Sequence, residues 1–154
     1  MVYTHNQFEV SQHQIETAIR LFLDEDDFYC SATLAGAAEE VLGKMLSEKR
    51  KVNNSLQSLT AATLRMLSAQ EVEALSDGRP LKGYAVLKEE INFYRNWLKH
   101  YSEDDFRIEI DAKEAAEELI DRSVTNFFLL SQRESAPMRR FLEYQQSKYA
   151  GAST

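Results

Sequence analysis

The sequence predicts an all-α fold: an up-and-down helical bundle of four main helices plus short additional helices, in a single domain over residues 1–154. Three observations predict it. Apolar residues recur at helical spacing in several long stretches. Only 5 Gly and 2 Pro interrupt the chain. Hydrophobic residues make up 44% of it, enough for a core at this length.

The first helix is expected after Ser11, with Ile15, Ala18, Ile19 and Phe22 inward, and it stops at the acidic "DEDD". The second runs from about Asp27 to Arg50. Asp26 and Asp27 suit its positive N-terminal end, and "KRK" at 49–51 suits its negative end. Its middle is crowded with Ala32, Ala35, Gly36, Ala37, Ala38 and Gly43. Each glycine costs about 1 kcal/mol against alanine in a helix. Close approach of another helix backbone is the expected return, so this is the expected central helix. Cys30, the only cysteine, reads as a small buried residue.

A third helix covers about Asn54 to Leu67, with Leu56, Leu59, Thr63, Leu64 and Leu67 inward. "SAQE" at 68–71 is a capping box that starts a short helical turn to Leu75. "SDGRPLKG" is a loop. The next helix spans about Tyr84 to Tyr101, with a stripe of Val86, Leu87, Glu90, Ile91, Tyr94, Trp97 and Leu98. "FRIEID" alternates and predicts a short extended segment. Asp111 with Glu114 starts a further helix that carries Ala115, Leu119, Ile120, Val124, Phe127 and Phe128 on its core side. Pro137 suits the first turn of a last amphipathic helix, "MRRFLEYQQSKY", with a frayed "AGAST" after it.

Composition narrows the function classes. The net charge is −7, which does not favour general nucleic-acid binding by long-range attraction, so an RNA partner needs a local basic patch. A single cysteine excludes an internal disulfide and a multi-cysteine zinc site. No apolar run approaches ~18 residues, so no membrane partner is expected. "MVYTHNQFEV" lacks the basic and apolar regions of a secretory signal, and a cytoplasmic location is the expectation.

Metal and nucleotide motifs are missing. No Glu-x-x-His pair, His-Glu-x-x-His run, Gly-Lys-Ser/Thr loop or Gly-x-Ser-x-Gly elbow occurs. No cofactor and no metal is therefore expected. Glu39, Glu40, Glu89 and Glu90 read as solvated helix edges.

That leaves Arg95, Asn96, Lys99 and His100 at a helix end. Asn96 and His100, four apart, lie within about 40° of each other, whereas Arg95 points about 140° from His100. The long arginine side chain can swing toward the same pocket. Arginine supplies a forked cation for phosphate oxygens, and histidine moves protons near neutrality. These are the groups that metal-free RNA cleavage needs. On spacing alone, a capped helix end with an ion-paired arginine serves as well.

The chain resembles the HEPN superfamily over about residues 12 to 132. Arg95-Asn96-…-His100 is similar to the family's Arg-x4-6-His motif, with the polar residue just after the arginine. "LAGAAEEVLGKML" resembles the small-residue second helix of several members, and "IEID" and "EAAEELIDRSVTNFFLL" follow in the family's order. The resemblance implies a homodimer in which two motifs meet in one cleft. It implies a metal-independent endoribonuclease, often a toxin or defence effector, with His100 as acid or base, Arg95 as phosphate clamp and Asn96 as orienting residue. Lys99, Arg95, Arg107 and Lys88 are the residues expected to form a local patch for RNA. Other members are non-catalytic binding or scaffold proteins, and an antitoxin or a nucleotidyltransferase is the implied further partner. Both classes stay open on sequence.

Overall fold

The structure, a computed structural model, describes residues 4–76, 83–100, 102–104 and 107–151. Among these residues are seven α-helices and no strand. They are α1 (Gln7–Asp24), α2 (Phe28–Lys44), α3 (Ser55–Met66), α4 (Ala69–Ser76), α5 (Gly83–Lys99), α6 (Ala112–Ser131) and α7 (Ala136–Gly151). A π-helical turn, Met45–Arg50, extends α2 to the expected limit. The all-α bundle is as the sequence predicts. Most of the "SDGRPLKG" loop, Tyr101, Phe106 and residues 152–154 lie outside the described residues.

Helix α1 begins a turn earlier than Ser11. Asn6 caps it by accepting from the Glu9 backbone N–H at 2.9 Å. Ser11 is instead buried and donates to the Gln7 carbonyl at 2.8 Å. The added turn carries Phe8, whose ring stacks on Phe127 at 4.9 Å. The helix starts at Asp27, Ser68 and Asp111 stand as predicted, and the structure adds a cap at Asn54. Asp27 accepts from Cys30 N, Asn54 and Gln57 form a reciprocal capping box, and Asp111 accepts from Lys113 N and Glu114 N. Ser68 and Glu71 form the box before α4, and the Ser68 hydrogen bonds hold the Glu71 carboxyl below its ordinary range.

Helix α2 is central and packs against both α1 and α6. The shared core includes Ile15, Ile19, Ala35, Leu42, Ile120 and Phe127. Helix α7 adds Met138 and Phe141 beside α1, while α3 and α4 lie against α5.

Four local expectations differ. Cys30 is exposed, because it lies on the outer side of α2's first turn; its hydrogen bond to Asp27 raises the thiol pKa. Phe128 is half-exposed, one position beyond buried Phe127 on α6. Residues 107–111 form no strand, because no partner segment lies alongside them among the described residues. Glu90 is exposed and interrupts the α5 stripe, of which Val86, Leu87 and Tyr94 are buried. No helix among the described residues is long and apolar enough to cross a membrane.

Candidate functional site

Gly36 and Gly43 of α2 make room for side chains, not for a neighbouring backbone. A Cβ at Gly36 would stand 2.9 Å from Arg95 Cγ, and one at Gly43 would meet the Asn54 amide at 3.2 Å and the Asn126 amide at 3.4 Å. Glu39 lies one turn from each glycine on the same face, since steps of three and four residues return to one side of a helix. It is therefore carried inward, and its side chain is only 2% exposed. The expectation of a solvated edge fails for Glu39.

A buried carboxylate requires charge partners. Glu39 has two. Arg95 from α5 donates through Nη1 to Oε2 at 2.6 Å, and Arg122 from α6 donates through Nη2 to Oε1 at 3.0 Å. Arg122 also donates to Asn92 Oδ1 at 2.7 Å and to Glu118 at 3.3 Å. Asn126 donates to the Glu39 carbonyl at 3.2 Å and accepts from Ser55 N at 2.8 Å. Three helices, α2, α5 and α6, are thus joined at one carboxylate, and Asn126 ties in the start of α3.

Glu39, Asn92, Arg122 and Asn126 escaped the sequence reading because apolar periodicity treats polar residues as surface. One signal for Glu39 was available: it falls in register between Gly36 and Gly43.

Arg95 is thus anchored inward, with its side chain 12% exposed. Its Nη2 lies 3.5 Å from Asn96 Oδ1, and its buried Nε has no hydrogen-bond partner. Asn96 and His100 are exposed. The His100 backbone N–H closes the helix on the Asn96 carbonyl at 3.0 Å. Among the described residues, no hydrogen bond brings the His100 ring to Arg95. Arg95 thus meets Asn96 through a side-chain approach, and His100 meets Asn96 through the backbone.

Lys99 pairs with Glu40 at 2.5 Å, and Lys44 reaches the same carboxylate at 3.0 Å. The Lys99 hydrogen bond, followed by that from Lys44, lowers the Glu40 pKa to about 2.

Arg95 is shared by two cavities. One, of about 370 Å³, has apolar walls from Leu59, Ile91, Phe93, Ile110 and Leu119. The other, of about 180 Å³, is lined by polar groups that include Glu39, Glu40, Lys44, Asn54, Lys88 and Asn92. The arrangement can hold an anion at the arginine and can transfer a proton through an imidazole at the exposed helix end. Among the described residues, no three His, Cys, Asp or Glu side chains gather as metal ligands. No protein-family model, curated protein or solved structure matches the chain.

Proposed function

We propose that the protein is a HEPN-type, metal-independent endoribonuclease whose working site is completed at a homodimer interface. One observation carries this reading: a buried carboxylate from α2 fixes Arg95 at the helix end that also bears exposed Asn96 and His100. A guanidinium so anchored suits the binding of a scissile phosphate. The substrate 2′-OH attacks its neighbouring phosphorus and loses its proton to one imidazole. The P–O5′ bond breaks, and the leaving 5′ oxygen takes a proton from a second imidazole. The products are a 2′,3′-cyclic phosphate and a 5′-hydroxyl. A dimer supplies two copies of His100 for the two proton transfers. Asn96 orients the arginine edge, and Lys99 contacts the RNA once it leaves Glu40. The proposed role is that of a cytoplasmic toxin or defence effector, held in check by an antitoxin or a nucleotidyltransferase partner.

A second reading is a non-catalytic HEPN-fold binding or scaffold protein. It is favoured by the occupation of Arg95 and Lys99 by Glu39 and Glu40. Expression separates the two. An endoribonuclease slows growth when produced alone, and His100→Ala relieves it. Equal harmlessness of both proteins, with total RNA left intact, selects the scaffold. Sedimentation at micromolar concentration tests the assembly: the composite site requires a dimer, and a monomer removes it.

A further inference from the structure

Arg95 is held through one specific nitrogen. Nη1, the nitrogen cis to Cδ, donates to Glu39. The opposite, side-on edge consists of Nε and Nη2. Among the described residues Nε has no hydrogen-bond partner and is buried, whereas Nη2 has only the 3.5 Å approach of exposed Asn96. This side-on edge is one of the two that grip a carboxylate or phosphate with parallel hydrogen bonds. Glu39 therefore fixes the guanidinium and leaves Nη2 as the donor of that edge that an incoming oxygen can reach.

Arg122 limits the strength of that hold. It takes the other Glu39 oxygen, so one buried negative charge is divided between two permanent cations. Glu118 reaches Arg122 at 3.3 Å, but its side chain is 48% exposed and screened by solvent. The buried part of the cluster retains a positive surplus, which a monoanionic phosphodiester would offset. The Arg95 stem is confined as well, because it occupies the space above Gly36.

We infer that Glu39 is a positioning residue: shared with Arg122, it holds Arg95 by Nη1 so that Nη2, on the side of exposed Asn96, is turned toward a phosphodiester. This deepens, and rests on, the proposed phosphate chemistry. It assigns no contact between Glu39 and substrate.

The test compares wild type with Glu39→Asp, which keeps the charge and withdraws it by one methylene, and with Glu39→Gln, which keeps the length and removes the charge. Arg95→Lys assigns the Arg95 Nε–Hε resonance by its disappearance. Nitrogen–proton spectra are recorded during titration with a 2′-deoxy oligonucleotide, which cannot be cleaved through a 2′-OH. Cleavage of the matching RNA is measured in parallel. In wild type, the Arg95 Nε–Hε signal is expected to be resolved and to shift on titration. In whichever variant retains the helical spectrum, it is expected to broaden toward the free-arginine position. Cleavage should fall about 10²-fold, as for a roughly 1 Å misplacement, while oligonucleotide affinity changes less than about fivefold. A folded variant with an unchanged Arg95 signal and unchanged cleavage overturns the assignment. A wild type that cuts no RNA sinks the ribonuclease reading alone; the spectra still decide the positioning. The buried Nε–Hε reports on its guanidinium, so a wild-type signal insensitive to the oligonucleotide overturns the placement of a phosphodiester at Nη2.

Discussion

The stem of Arg95 fills the space that a side chain at residue 36 would occupy: a Cβ on Gly36 would lie 2.9 Å from Arg95 Cγ and 3.5 Å from Cδ. The glycine and the arginine are a matched pair across α2 and α5. Gly36→Ala gains about 1 kcal/mol of helix propensity. It also forces an anchored stem to move, an overpacking that costs roughly 1–3 kcal/mol. The expected outcome is a net loss of about 1 kcal/mol in urea unfolding, together with weakened phosphate binding. An alanine variant more stable than wild type would show that the stem is free to move aside.

Removing the Glu39 side chain should be far more damaging. Glu39→Ala leaves two guanidiniums facing each other in the interior. Losing one partner of a buried ion pair costs about 3–5 kcal/mol. A double-mutant cycle with Arg122→Ala should show coupling of about 0.5–3 kcal/mol, because the two side chains share one network. A loss below about 0.5 kcal/mol, the value for an unremarkable surface site, would contradict the buried position.

The neighbouring Glu40 predicts a pH effect. Its hydrogen bonds from Lys99 and Lys44 lower its folded pKa from 4.5 to about 2. A depressed carboxyl pKa stabilises the fold above the unfolded value and loses that contribution as pH falls through the folded value. The window is therefore about pH 4.5 down to about 2. The group is about a third exposed, so solvent screening reduces the expected contribution to about 1 kcal/mol. Unfolding followed from pH 6 to pH 2 should fall less steeply for Glu40→Gln than for wild type. Parallel curves would assign the acid sensitivity to other groups.

Much of the fold was legible because local chemistry and tertiary packing agree. Ile15, Ala18, Ile19 and Phe22 follow the helical period and all are buried. The Asp27, Ser68 and Asp111 caps lie where their acceptor oxygens meet free helix N–H groups. The start of α1 was less legible, since both Asn6 and Ser11 are N-cap residue types and only the packing of Phe8 on Phe127 favours the earlier one.

The site was legible only in part. Arg95, Asn96 and His100 stand out in the sequence as a group at one helix end, and the structure adds a 3.5 Å approach of Arg95 Nη2 to Asn96 Oδ1. The partner that holds Arg95 is 56 residues away, on another helix. No local spacing records that contact. Asn92, Arg122 and Asn126 were hidden for a related reason: each is a polar residue at a core register, and each is hydrogen-bonded to a residue of another helix. Glycines that seemed to serve helix–helix approach were the trace these side chains left in the sequence.

The central claim is that Arg95 and His100 perform RNA cleavage without a metal. The most direct measurement is cleavage of RNA by purified wild type, Arg95→Ala and His100→Ala, each with and without chelator. Wild type should cut equally well in both conditions. His100→Ala should lose about 10²–10⁴-fold in rate, the usual worth of a proton-transfer group, with RNA affinity largely kept. Arg95→Ala should lose both rate and affinity, because the clamp acts before and during the reaction. Cleavage unchanged in His100→Ala, or abolished in wild type by the chelator, would contradict the account.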